Sequence, residues 1–211
     1  MCSAEPRPLH LSIESGVSAR SRAFELIVGA EGGDTYTDDP YDPGGPTKWG
    51  VSWRAVRLRD HDRDGRLDFD LEGDGDVDEH DIRLIARHDA ERLFREDYWG
   101  PAGCDEWPDL LAIAVADAAY NQGPRTAVAL LQRAIGSGAG PDDGIPGPRT
   151  RAAVAAFTAA GTIDVLLALF ATQRADRYRQ HPEVATYFRG WIGRLIALDR
   201  ALMAMEAMEA E

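Results

Sequence analysis

Apolar residues recur at helical spacing over most of this chain, and the places where they fail to do so are as informative. Phe24, Ile27 and Val28 stand at i, i+3 and i+4 ahead of Gly32-Gly33, which predicts a helix over about 21–30 closed by a glycine that takes a positive-φ cap at no steric cost. Residues 34–52 lose that period and are rich in Gly, Pro and Asp, so they read as a hairpin or an irregular lobe. From Asp78 onward the pattern is helical almost throughout, predicting helices over 79–86, 88–98, 108–121, 124–135, 147–159, 162–180 and 184–208. Asp143-Gly144 and Pro146-Gly147 mark the longest break in that half. Residues 1–17 are polar with two prolines and are expected to form a loose tail. The fold class that follows is mainly α with a small β-hairpin lobe and one inserted loop.

Composition narrows the class further. A chain of 211 residues can bury a proper core. It has no apolar run long enough to span a bilayer, since Leu166–Ala171 is short and belongs to an amphipathic pattern. The amino terminus lacks a basic region followed by a hydrophobic one, so no ordinary secretion signal is expected. Cys2 and Cys104 define no disulfide framework and are expected to be free thiols of a protein made in a reducing compartment. His10, His61, His80 and His88 do not form a zinc pattern, and neither a Ser/His/Asp nor a Cys/His arrangement is present.

The net charge of −13 is local. Residues 60–81 hold nine Asp and two Glu against two Arg, so this short stretch carries most of it. That distribution argues against binding the nucleic-acid backbone. It also has a register. Calcium loops of the EF-hand type place oxygen ligands at positions 1, 3, 5, 7, 9 and 12 and glycine at 6. Counting from Asp70, the ligands are Asp70, Glu72, Asp74, the Asp76 carbonyl, Asp78 and Asp81, with Gly75 at position 6 and Val77 at position 8. A second register starts at Asp60 with Asp62, Asp64, Gly65 and Asp68 in place, but Leu71 occupies its position 12. Calcium is the expected ion, because so many carboxylates in so few residues repel one another unless a cation neutralises them. The segment is expected to brace the helix beside the hairpin without touching the chemistry.

The remaining chemistry centres on Glu31. It falls in the last turn of the first predicted helix, where the negative end of the macrodipole disfavours a carboxylate and helps to keep the group protonated. A second acidic group returns shortly after it, as Asp39 or Asp42, on a Pro/Gly-shaped loop. A proton donor and a second carboxylate are what glycoside hydrolysis needs.

The stretch Glu31-Gly32-Gly33, Tyr36, then Asp39-Pro40-Tyr41-Asp42-Pro43-Gly44-Gly45-Pro46-Thr47-Lys48-Trp49-Gly50 resembles the opening motif of glycoside hydrolase family 108. The resemblance continues through Arg95–Trp99, Asp117–Gly123, Leu131–Gly136, Asp143–Thr150 and Phe188–Arg194, the last of these looking like the peptidoglycan-binding segment that accompanies the family. One departure, Asp34-Thr35 between the glycine pair and Tyr36, leaves both Asp39 and Asp42 as candidates for the acidic partner.

The resemblance implies a lysozyme-like helical domain and an N-acetylmuramidase that cuts the β-1,4 bond between N-acetylmuramic acid and N-acetylglucosamine. Glu31 is then the general acid, and Asp42 activates water or steadies the developing cation with Thr47 orienting the water. Asp42 is favoured over Asp39 because phage-type lysozymes show a similar order of helix-end Glu, hairpin Asp, then Thr. Tyr36 and Trp49 are candidates for stacking on sugars, and Asn121 and Gln122 for hydrogen-bonding them, whereas Tyr98, Trp99 and Trp191 read as core. The expected organisation is a tail at 1–17, a catalytic region at 18–135 carrying the 60–81 insert, and a helical peptidoglycan-binding segment at 136–211. The partner is bacterial peptidoglycan, the protein is expected to be a monomer, and it is expected to be made in the cytoplasm and to reach the periplasm or wall by another route. The competing reading is a calcium-stabilised wall-binding protein without catalysis.

Overall fold

The computed structural model describes residues 17–30, 33–39, 41–42 and 44–209. It is mainly helical, with one small antiparallel sheet among the described residues. Contacts gather it into two compact units, the first built on Phe24–Phe94 and the second on Arg95–Glu211, with the start of the first helix counted in the second unit. This division falls well before the boundary at 135/136 read from the sequence.

In the first unit, α1 (Ala19–Ala30) buries Phe24, Leu26, Ile27 and Val28, a broad apolar stripe that includes the three residues of the predicted face. The sheet pairs β1 (Thr47–Lys48) with β2 (Val51–Ser52), Thr47 opposite Ser52 and Lys48 opposite Val51. Trp49 and Gly50 form the two-residue turn, both at positive φ, 54° and 70°. That geometry follows the right-handed strand twist but suits Asn or Gly, so a tryptophan at its first position is strained. An isolated bridge from Thr37 to Thr47 widens the lobe. After α2 (Trp53–Val56) the acidic insert runs to α3 (Glu79–Leu84) and α4 (Arg87–Leu93). Val51, Val56, Phe69, Val77, Ile82 and Ile85 are buried in this unit.

The helix expected over 88–98 does not run through as one. It changes at Phe94 into a π-helical turn, Phe94–Trp99, and Gly100 N donates to the Arg95 carbonyl at 2.9 Å in the wider i to i−5 spacing. Trp99 is buried there, its Nε1 donating to Asp105 at 2.7 Å. A 3₁₀ turn, Cys104–Glu106, follows and holds Cys104 as a buried free thiol. Burial, with the Asp105 charge adding to it, pushes that thiol far above its ordinary range. An inert structural cysteine is the result.

Helix α5 (Asp109–Gln122) is buried without interruption from Leu111 to Ala119 and forms the axis of the second unit. Around it pack α6 (Pro124–Ile135), α8 (Ile163–Arg179) and α9 (Val184–Glu209), with α7 (Pro148–Ala159) against α6 and α8. The loop between α6 and α7 is fastened by one buried side chain. Gln132 Oε1 accepts from Gly144 N at 2.9 Å, and its Nε2 lies 3.0–3.2 Å from Asp143 Oδ1, the Ile145 carbonyl and Thr150 Oγ1. Gly144 sits at φ +74°, and a Cβ there would stand 2.3 Å from the Arg125 carbonyl, so no other residue fits.

Candidate active site

Glu31 lies outside the described residues, but the backbone on both sides of it is tied down. Helix α1 runs to Ala30, and Gly33, at φ +61°, donates its N–H back to the Val28 carbonyl at 3.1 Å. This is the six-to-one closure of a glycine helix cap. The Gly33 carbonyl in turn accepts from Trp49 N, at the hairpin turn, at 2.9 Å. One glycine two residues past Glu31 therefore joins the end of α1 to the tip of the hairpin. The sequence pattern alone gave no hint of that joint.

Asp39 and Asp42 occupy equivalent settings. Both are exposed. Asp39 Oδ1 accepts from Tyr41 N at 2.9 Å, and Asp42 Oδ1 accepts from Gly44 N at 2.7 Å. Each closes its own Asx turn, so local structure does not choose between them. Thr47 is better fixed: its backbone exchanges two hydrogen bonds with Thr37 at 2.8 and 2.9 Å, and its Oγ1 donates to the Gly45 carbonyl at 3.2 Å.

Tyr36 is engaged by the insert. Its hydroxyl donates to Glu79 Oε1 at 2.9 Å, and the Arg83 guanidinium lies 3.8 Å from its ring centre. Burial, then the hydrogen bond to Glu79, pushes the hydroxyl up to about 12. One ring face is thus covered by Arg83, and a sugar could use only the other.

The insert is tied to α2, the helix that follows the hairpin, and α3 just beyond the insert is tied to the hairpin. Trp53 Nε1 donates to the Val77 carbonyl and Lys48 Nζ to the Arg83 carbonyl, both at 2.6 Å. An open groove of about 710 Å³ between them is lined by Pro46, Trp53, Arg57, Leu67 and Val77. Neither Asp42 nor Thr47 lines it.

Within the insert the two registers fold as copies ten residues apart. Asp60 accepts from Asp64 N and Gly65 N, and Asp70 accepts from Asp74 N and Gly75 N, all at 2.9–3.1 Å. Arg66 N donates to Asp64, and Asp76 N donates to Asp74. Position 4 is left-handed in both, Arg63 at φ 60° and Gly73 at φ 79°.

The copies differ in how their carboxylates converge. In the second, oxygens of Glu72, Asp78 and Asp81 lie within 4.8 Å of one another. Asp81 is fully buried and accepts from Leu71 N at 2.6 Å and Asp78 N at 2.9 Å. In the first, Asp60, Asp62 and Asp68 converge, but Asp68 is already ion-paired with Arg59. Crowding by Asp74 raises the carboxyl of Asp76. Asp64, Asp70 and Asp74 serve chiefly as acceptors for loop N–H groups and are outside both converging trios.

In the second unit, Asn121 is exposed, with its Oδ1 accepting from the Tyr178 hydroxyl at 3.4 Å. Both amide atoms of Gln122 are shielded from solvent and have no hydrogen-bond partner among the described residues. One turn earlier on α5, Asp117 is held by two arginines, Arg174 Nη2 at 2.6 Å and Arg194 Nε at 2.9 Å. That group was not singled out from the sequence. Its signal was a lone carboxylate inside the apolar run Leu110–Ala119, where a buried charge needs a partner.

With this geometry in view, residues 24–123 match the family model for glycosyl hydrolase 108, from α1 through the hairpin lobe and insert to the end of α5. The chain is also similar to a solved structure, that of SagA from Brucella abortus, at 26% identity and a TM-score of 0.68 over 88% of this chain and 94% of that one. No curated protein matches.

Proposed function

We propose that the protein is a peptidoglycan hydrolase, an N-acetylmuramidase in which Glu31 protonates the glycosidic oxygen between N-acetylmuramic acid and N-acetylglucosamine. The observation that supports it most is the joint at Gly33, within the stretch matching glycosyl hydrolase 108: the chain leaving α1 meets the hairpin turn two residues after Glu31. Asp42, with Thr47 on the paired strand, activates the water or steadies the developing positive charge on the sugar ring. The rigid hydrogen bonding of Thr47 suits a group that must hold a water in place. Helices α6–α9 lie beyond the family match, and their part in this reading is to hold the wall polymer. The test is mass spectrometry of purified peptidoglycan after digestion. Fragments ending in reducing N-acetylmuramic acid are expected, whereas binding to the wall without soluble fragments would sink the catalytic reading in favour of a wall-binding protein.

The acidic insert in this proposal holds one structural calcium ion at the Asp70 loop. The donors are all hard oxygens, and Glu72, Asp78 and Asp81 already converge. The first copy is the poorer site, because Arg59 already neutralises Asp68 and Leu71 offers no ligand at its end. Calcium supplies charge neutralisation and takes no part in bond cleavage. Ligand-linked stabilisation reaches about 2.7 kcal/mol at a hundredfold excess over Kd. Calcium is therefore expected to raise the thermal midpoint and chelator to reverse it. Glu72→Gln is the informative variant: it removes a carboxylate whose neighbour is His80, at 3.3 Å, and spares the loop's backbone hydrogen bonds. It should abolish most of the calcium shift. A midpoint indifferent to calcium in the unaltered protein would leave the insert an acidic loop held by its own hydrogen bonds.

A further inference from the structure

Two exposed contacts from α3 straddle one backbone pair of the hairpin lobe. Thr37 and Thr47 exchange both backbone hydrogen bonds, Thr37 N to the Thr47 carbonyl at 2.9 Å and Thr47 N to the Thr37 carbonyl at 2.8 Å. One residue before Thr37, the Tyr36 hydroxyl donates to Glu79 Oε1 at 2.9 Å, and Arg83 pairs with that same carboxylate while lying on the Tyr36 ring. One residue after Thr47, Lys48 Nζ donates to the Arg83 carbonyl at 2.6 Å. That carbonyl is among the last four of α3, which find no partner inside the helix, so the lysine also satisfies the helix end.

The insert fixes where α3 starts. Asp78 Oδ1 accepts from His80 N at 2.5 Å, and Asp81 Oδ2 accepts from Asp78 N at 2.9 Å, a reciprocal cap on either side of Glu79. Hydrogen bonds from Arg83 and then Tyr36 hold the Glu79 carboxyl below its ordinary range, so the acceptor stays charged at neutral pH. Glu79 and Arg83 are each half exposed, and surface pairs of this kind add little to stability. What two handles on opposite sides of one backbone pair can do is hold it against small displacements. A displacement of about 1 Å at a reacting group can cost on the order of a hundredfold in rate.

We infer that Glu79, acting through Tyr36, and the Arg83 carbonyl, acting through Lys48, are positioning groups that clamp Thr47 in place for catalysis. The inference rests on the hydrolase reading, in which Thr47 holds the attacking water. It departs from the expectation that the insert stays clear of the chemistry, because Glu79 is one of the insert's last residues and reaches the backbone pair that carries Thr47.

The test compares Tyr36→Phe, which keeps the ring and removes the donor, with Lys48→Met, which keeps the stem and removes the ammonium. Steady-state kinetics of the full chain on solubilised peptidoglycan strands should show kcat lowered roughly tenfold in each, with KM within about twofold and the thermal midpoint preserved. Glu79→Ala should match Tyr36→Phe and add nothing to it, as expected of a residue that acts through the hydroxyl. Added to Thr47→Val, each change should cost nothing further, since the group it positions is gone. Unchanged kcat in the protein carrying both Tyr36→Phe and Lys48→Met overturns the inference, and so does a full loss in the Thr47→Val background. Amide hydrogen exchange supplies a readout that needs no activity. The N–H groups of Thr37 and Thr47 should exchange about tenfold faster in the double variant, while the amides of α1 keep their rates. If the unaltered protein releases no fragments but those two amides loosen in the variant, the hydrolase reading fails and the clamp stands. If they exchange at their former rate, the clamp fails whatever the activity.

Discussion

Glu31→Gln is expected to abolish release of peptidoglycan fragments while leaving the thermal midpoint close to its original value. Removing a general acid costs about 10²–10⁴ in rate, and the loss is larger when the leaving group is poor, as a sugar alkoxide is. The amide is nearly isosteric and cannot deliver a proton to the glycosidic oxygen. A general acid must carry its proton to act, so activity should fall as pH rises and the carboxyl ionises. A Glu31→Gln protein that clears a wall suspension at its former rate would remove Glu31 from the mechanism, and Asp42 and Thr47 would lose the partner that gives them a role.

Asp117→Ala should be the most destabilising single change in the second unit. Arg174 is 1% exposed and Asp117 3%, and the carboxylate serves both Arg174 and Arg194. Deleting one partner of a buried pair costs about 3–5 kcal/mol, because the charge left behind is neither solvated nor matched. Here two guanidinium groups would be left behind. For a chain of this size, a fall in midpoint of roughly 10 °C follows. Adding Arg174→Met to the Asp117→Ala background should restore part of the loss, which a pair of independent sites would not do. A cost below about 1 kcal/mol for Asp117→Ala would mean that water reaches the triad and that it behaves as a surface pair. The triad also matters for function under the proposed reading. It anchors α5 to α8 and α9 one turn before Asn121 and Gln122, so its loss should weaken glycan binding even in the fraction that stays folded.

The helical half of the molecule was legible in the sequence because its signals are local. The spacing of apolar residues set α5 to α9 nearly to their observed bounds, and the Asp/Gly and Pro/Gly dipeptides marked the loop that Gln132 fastens. The paired acidic loops were legible for the same reason. A turn that places aspartates and glycines at fixed offsets is written in consecutive residues, and in each copy the first aspartate accepts from the backbone four and five residues on. The sequence also determined that Glu31, Asp39, Asp42 and Thr47 come close together along the chain.

Tertiary structure decided what those residues meet. That Gly33 would join the end of α1 to the hairpin turn and that Tyr36 would give its hydroxyl to Glu79 are contacts between segments separated by turns of no fixed pattern. The break of the fourth helix into a π turn at Phe94–Trp99 was equally invisible, since the apolar spacing through this stretch reads as continuous helix. Asp117 shows the limit most clearly. Its place in an apolar run said that a partner must exist, because an unpaired buried charge is too costly, but only the packing of α8 and α9 against α5 determined that the partners are Arg174 and Arg194.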